Sequence, residues 1–329
     1  MAKIIIGIHG LGNKPSEEIL EKWWNMSIVE GLNKYYNIDN QNIKFKMVYW
    51  ADILYDKPLN KKITNKNSPY YLEEPYFPGL KKINHIARNT RKKVIDFIDK
   101  ILEKILLNDD FSVNYSSFTN AIIHKYFKDL DTYYSDKTLN NSGKEDLAKD
   151  IIRKRLITVL EDHKKDQILL IAHSMGSIIA YDVLSLYSKK FKIDCLITIG
   201  SPLGFPIIMS KIANELKAKF ADFKKLTSPE SVKYNWYNFA DLEDKVAIDY
   251  KLSDDFEENT VGVKVVDFEV YNDYQANKIK NPHKSFGYLR TNEVAKVIFD
   301  FVNSEDKEFK TKLIRRIFKF ISEIKLKKN

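Results

Sequence analysis

The sequence predicts an α/β architecture: a mainly parallel central sheet with helices on both faces, carrying a helical cap insertion. Three observations predict it. Short strand-like segments alternate with helix-like ones along the chain. Two of them, Ile168-Leu169-Leu170-Ile171 and Leu196-Ile197-Thr198-Ile199, are almost wholly apolar, as strands covered on both faces by helices must be. The 329 residues, 44% of them hydrophobic, suffice for one sizeable core with an insertion.

Lys3 to Ile8 reads as the first strand, because the apolar run is too short for the core of a signal peptide and no small-residue cleavage site follows it. Pro15 can start the helix behind it. Ile43 to Tyr49 is the next strand, and residues 1–65 form the first part of the core. Over residues 66–141 the composition turns to Tyr, Phe, Asn and Lys, punctuated by Pro69, Pro75 and Pro78, and the region reads as a cap or lid insertion. Within it Val94, Ile95, Ile98, Ile101, Leu102 and Ile105 recur at helical spacing. A further helix is predicted to open at Ser142, with Glu145 completing a capping box, and to run through Leu160. Strands at Gln167 to Ala172, Cys195 to Ile199, Tyr234 to Phe239 and Val263 to Val270, then a helix from near Asn292, make residues 142–303 the remainder of the core.

Residues 304–329 read as a basic amphipathic C-terminal helix. Phe309, Leu313, Ile317 and Ile324 share one face, and Glu305 to Asn329 holds nine Lys/Arg against four Asp/Glu. Such a helix either packs on its own domain with its lysines in water or lies in an anionic membrane interface.

Charges interrupt every long apolar segment, so no stretch approaches the roughly 18 to 20 residues that a spanning helix needs. The formal charge of +9 is spread along the chain without a recognisable nucleic-acid motif, and nucleic acid is not an expected partner. The single cysteine, Cys195, cannot form an intramolecular disulfide; the default is a cytoplasmic location, peripheral on the inner membrane surface if the tail docks there. No clustered ligand spacing asks for a metal, and no cofactor is expected.

The strongest chemical signal is Ala172-His173-Ser174-Met175-Gly176-Ser177, where an apolar strand runs directly into a serine and an apolar helix follows. A tight strand-to-helix turn strains the serine backbone, lifts its hydroxyl clear of the sheet and excludes bulky neighbours. The second signal is His9-Gly10-Leu11-Gly12-Asn13, directly behind the first strand, whose glycines let the backbone turn and approach a bound group closely. A structural role is expected for the His9 side chain. Ser201, in Gly200-Ser201-Pro202-Leu203-Gly204, reads as structural too.

Together these features resemble the lipase-like members of the α/β-hydrolase fold, particularly those that open with an HGLGN-type strand end. The resemblance implies Ser174 as nucleophile and the amides of Leu11 and Met175 as oxyanion hole. It also implies the chain order serine, acid, histidine. His283 is the only histidine after Ser174 and so the implied base. The acid falls in Ala240-Asp241-Leu242-Glu243-Asp244, where Asp244 precedes Lys245-Val246 as the acid of many such enzymes precedes a small or polar residue and a valine, with Asp241 as competitor. The implied activity is cleavage of a small-molecule or lipid ester through an acyl-enzyme. The alternative is a non-catalytic ligand- or membrane-binding protein on the same scaffold. Cap aromatics Tyr70, Tyr71, Tyr76, Phe77, Phe111, Tyr115 and Phe118 are candidates to line an acyl pocket.

Overall fold

The computed structural model describes residues 1–38, 43–79, 128–135, 138–141, 144–247 and 251–303. The long apolar segments form a six-stranded sheet from β1 (Lys3–Ile8), β2 (Phe45–Val48), β5 (Gln167–His173), β6 (Ile193–Ile199), β7 (Val232–Ala240) and β8 (Val265–Glu269). A small hairpin, β3 (Thr138–Asn141) with β4 (Lys144–Leu147), and a two-residue ladder, β9 (Gln275–Ala276) with β10 (Ile279–Lys280), lie apart from it. The order is β2-β1-β5-β6-β7-β8, and all five pairings are parallel. The two most apolar strands, β5 and β6, hold the centre, where neither face meets water.

Alternation along each strand divides the core in two. Ile4, Ile6, Ile8, Ile168, Leu170 and Leu196 face one way, against the helices Ala148–Asp162, Met175–Leu186 and Pro206–Lys219. Ile5, Leu169, Ile171, Cys195, Ile197 and Ile199 face the other, against Glu17–Tyr36, Ser285–Leu289 and Asn292–Asn303. This period of two, read against a helical period near 3.6, is what permits helices on both faces. Register then sets the site: Ile8 lies beside Ala172, and His173 beside Ile199, so the loops leaving β1, β5 and β6 meet at the carboxyl edge of the sheet.

The helix predicted to open at Ser142 instead opens at Ala148. Residues 144–147 pair antiparallel with 138–141, so the backbone of Glu145 lies in a strand ahead of the helix, and Ser142 lies outside the described residues. Pairing with a neighbouring segment overrides the local signal. Of the insertion read at 66–141, residues 80–127 lie outside the described residues, as do the helix read at Val94 to Leu106 and the C-terminal helix read at 304–329. No helix among the described residues is long and apolar enough to cross a membrane.

Candidate active site

Ser174 sits between β5 and the helix Met175–Leu186 with φ 53° and ψ −129°, a conformation that costs a residue with a Cβ about 1 to 3 kcal/mol. Its surroundings hold it there. The Ser174 amide donates to the Ile199 carbonyl at 3.1 Å, and the Ser177 hydroxyl donates to the Ser174 carbonyl at 2.6 Å. With that hydrogen spent, Ser201 must be the donor in the 2.7 Å contact between the Ser201 and Ser177 hydroxyls. Close packing explains the glycines on either side: a Cβ on Gly176 would lie 2.7 Å from the carbonyl oxygens of Ile8 and His9, and one on Gly10 would lie 2.6 Å from the Ser174 Cβ.

Three residues from separate strand ends meet in one hydrogen-bonded chain. His283 Nε2 lies 3.0 Å from Ser174 Oγ, and His283 Nδ1 lies 2.8 Å from Asp244 Oδ2 and 3.0 Å from Oδ1. Since the carboxylate accepts, Nδ1 carries the proton and Nε2 is free to accept from the serine hydroxyl. Asp244 is buried and accepts further bonds from the Tyr288 hydroxyl at 2.7 Å and the Val246 amide at 2.9 Å. Asp241 instead braces the backbone. Its oxygens accept from the amides of Asn272 and Glu243 at 2.7 and 2.8 Å, while its own amide donates to the Tyr288 hydroxyl at 2.9 Å.

The segment bearing His283 is fastened at three successive carbonyls. Asn272 Nδ2 donates to those of Pro282 and Lys284, each at 2.8 Å, and His173 Nε2 donates to that of His283 at 2.7 Å. Sequence reasoning missed His173 as a contributor, although its place next to the serine was a signal; Asn272 and Tyr288 carried none. Burial, reinforced by His283, lowers the pKa of His173 well below the ordinary histidine value, so its ring is neutral and donates from one nitrogen only.

The loop after β1 faces Ser174. His9 is buried and stacked on Trp50 at 4.7 Å between ring centres. Its Nε2 accepts the Trp50 amide at 3.1 Å, which leaves Nδ1 as the donor to the Gly10 carbonyl at 2.8 Å. Burial, then the charge of Lys14, lowers its pKa well below the usual value, which fits a ring that both donates and accepts. In a trans peptide the N–H lies opposite the carbonyl, so holding the Gly10 oxygen turns the Leu11 amide away from His9. Met175, first in its helix, likewise presents an amide with no carbonyl one turn back to accept it.

A cavity of about 320 Å³ opens between these groups, lined by Ser174 and His283 together with Leu11, Leu20, Trp23, Leu59, Leu72 and Phe286. That volume is at the lower end for small-molecule sites, and its walls are mixed, since Lys14, Glu73, Glu74 and Lys284 line it as well as the apolar side chains. Of the aromatics expected to line it, Tyr71 does. Tyr70 and Tyr76 turn their hydroxyls to Asp56 and Glu30, and Phe77 is exposed. Phe111, Tyr115 and Phe118 lie outside the described residues.

A family model for the PGAP1-like alpha/beta domain matches residues 118–279, a span that contains Ser174 and Asp244 and stops short of His283. No curated protein matches the chain. Among solved structures, the chain is similar to a lipase-esterase related protein from Clostridium acetobutylicum, with 12% identity, coverage of 91% of this chain and 94% of that one, and a TM-score of 0.28.

Proposed function

We propose that this chain, which belongs to the α/β-hydrolase superfamily, is a serine hydrolase that cleaves a carboxylic ester through an acyl-enzyme. The observation that carries the reading is the chain Ser174 Oγ, His283 Nε2, His283 Nδ1, Asp244 Oδ2, with links of 3.0 and 2.8 Å. Ser174 attacks the ester carbonyl as His283 takes its proton, and the imidazolium formed is stabilised by Asp244. The developing oxyanion is received by the amides of Leu11 and Met175, each such donor being worth roughly 3 to 4 kcal/mol of barrier. His283 returns the proton to the leaving alcohol, then activates the water that releases the acid.

Leu11, Leu20, Trp23, Leu72 and Phe286, which line the same cavity as Ser174 beside the charged Lys14, Glu73, Glu74 and Lys284, support an ester with a hydrocarbon acyl group, and a lipid ester is the preferred class. Insertion 66–141 as a cap over this pocket, peripheral contact with an anionic membrane through 304–329, and a cytoplasmic location belong to the same reading on sequence pattern.

The test is labelling of the purified protein and its Ser174→Ala variant with a fluorescent fluorophosphonate, followed by p-nitrophenyl esters of increasing chain length. Labelling and turnover in the wild type and neither in Ser174→Ala are the expected result. Equal labelling of both proteins, or neither labelling nor turnover in either with detergent present, would replace the enzyme with a binding protein on a hydrolase scaffold.

A further inference from the structure

The peptide between Leu11 and Gly12 is gripped at both ends by charged side chains. Its carbonyl oxygen accepts from Lys14 Nζ at 2.5 Å, and its N–H donates to Asp129 Oδ2 at 2.5 Å. Lys14 Nζ also donates to the Gly12 carbonyl at 2.9 Å, and Asp129 Oδ1 accepts from the Tyr55 hydroxyl at 2.7 Å. Among the described residues Lys14 has no carboxylate within ion-pair distance, so its donors serve the loop. Bonds with one charged partner are about twice as strong as neutral ones.

Asp129 is buried on the helix Lys128–Tyr134, 117 residues away from Gly12 along the chain and on the returning side of the insertion. That helix is itself anchored, since the Tyr133 hydroxyl donates to buried Asp182 at 2.6 Å and accepts from Arg153 at 2.7 Å. His9 sets the plane of the Gly10–Leu11 peptide, and Lys14 with Asp129 sets the plane of the next one. Two fixed planes leave Leu11 no free backbone dihedral. Its N–H, which donates to no group among the described residues, is thereby held in one direction.

We propose that Lys14 and Asp129 are positioning residues for the Leu11 oxyanion donor, so that the returning stem of the insertion completes the active site; the proposal rests on the ester-hydrolase reading above. A donor already oriented needs no reorganisation as charge develops on the substrate, which is why a clamp behind it acts on kcat. The lysine also brings pH dependence. Burial, then Lys284, lowers its ammonium to about 7 against the opposing pull of Asp129 and Glu74, and His9 and His173 also feel its charge. Loss of that proton converts two charge-assisted bonds into neutral ones, so kcat declines as pH rises through this value.

Wild type, Lys14→Met, Lys14→Arg and Asp129→Asn would be compared in the full chain with a p-nitrophenyl ester, measuring kcat and KM against pH alongside thermal midpoints. Lys14→Met and Asp129→Asn should lose about 10²-fold in kcat, the scale of a 1 Å misplacement, with KM little changed. Lys14→Arg should retain most of kcat and shift the alkaline limb upward, because a guanidinium keeps its proton. Wild-type kcat in Lys14→Met, or an alkaline limb unmoved in Lys14→Arg, overturns the clamp; the Arg variant decides the matter even if Asp129→Asn fails to fold. Failure of the underlying reading looks different, because the wild type would then neither react with fluorophosphonate nor hydrolyse ester, and both proposals would fall.

Discussion

The elbow that carries Ser174 and the loops that face it are built on different principles. The elbow is held mainly by backbone: a strained φ of 53°, the Ser177 hydroxyl on the Ser174 carbonyl, the Ile199 carbonyl on the Ser174 amide, and the Ile8 and His9 carbonyls packed against Gly176. The facing loops are held mainly by side-chain hydrogen bonds, with Asn272 and His173 on the His283 segment, Tyr288 on Asp244, and the Trp50 amide through the His9 ring on the Gly10–Leu11 peptide. Placement of the proposed nucleophile therefore rests on backbone and steric contacts at the sheet edge, whereas placement of the proposed base and oxyanion donor rests on side-chain hydrogen bonds.

The most severe way to break the facing side is Asp244→Asn, which should lower kcat by about 10⁴-fold through the wrong imidazole tautomer while leaving Ser174 in place. Asp241→Asn should cost far less, because that carboxylate holds backbone amides instead of the imidazole. Side-by-side kcat measurements check this, and equal losses would erase the distinction between the two acids. On the elbow side, Gly176→Ala places a Cβ against two β1-end carbonyls and should destabilise the protein by about 1 to 3 kcal/mol, read as a lower urea midpoint together with weaker fluorophosphonate labelling. An unchanged midpoint would show that the turn has slack.

The gentlest probe touches both sides at once. His9 and His173 are held neutral, their pKa values lowered by burial first. Below the unfolded value of about 6.5 the unfolded chain therefore binds more protons than the native one, and stability must fall as pH falls through that region. The urea midpoint should decline gradually from pH 7 towards pH 5, and a flat profile would mean that neither ring is kept neutral by the fold.

Much of this architecture is legible in the amino-acid sequence. All six sheet strands lie within a few residues of their predicted places, since apolar runs and period-two alternation are local features. The predicted helix start at Ser142 fails because β3 pairs with β4, and a pairing partner does not appear in a short window of sequence. The same limit applies to the proposed acid: Asp241 and Asp244 lie three residues apart in one turn, and only the approach of His283 to within 2.8 Å of Asp244 tells them apart.

Residue order alone therefore determined the sheet, the strained serine turn and the histidine proposed as base, because each follows from local sterics, hydrophobic periodicity or the absence of a competitor. Which carboxylate meets that histidine, how the Gly10–Leu11 peptide is turned, and that Lys14 and Asp129 grip the next one were decided by tertiary structure. Those contacts join residues up to 117 positions apart, and a hydrogen bond depends on distance and direction in space, which chain position does not encode.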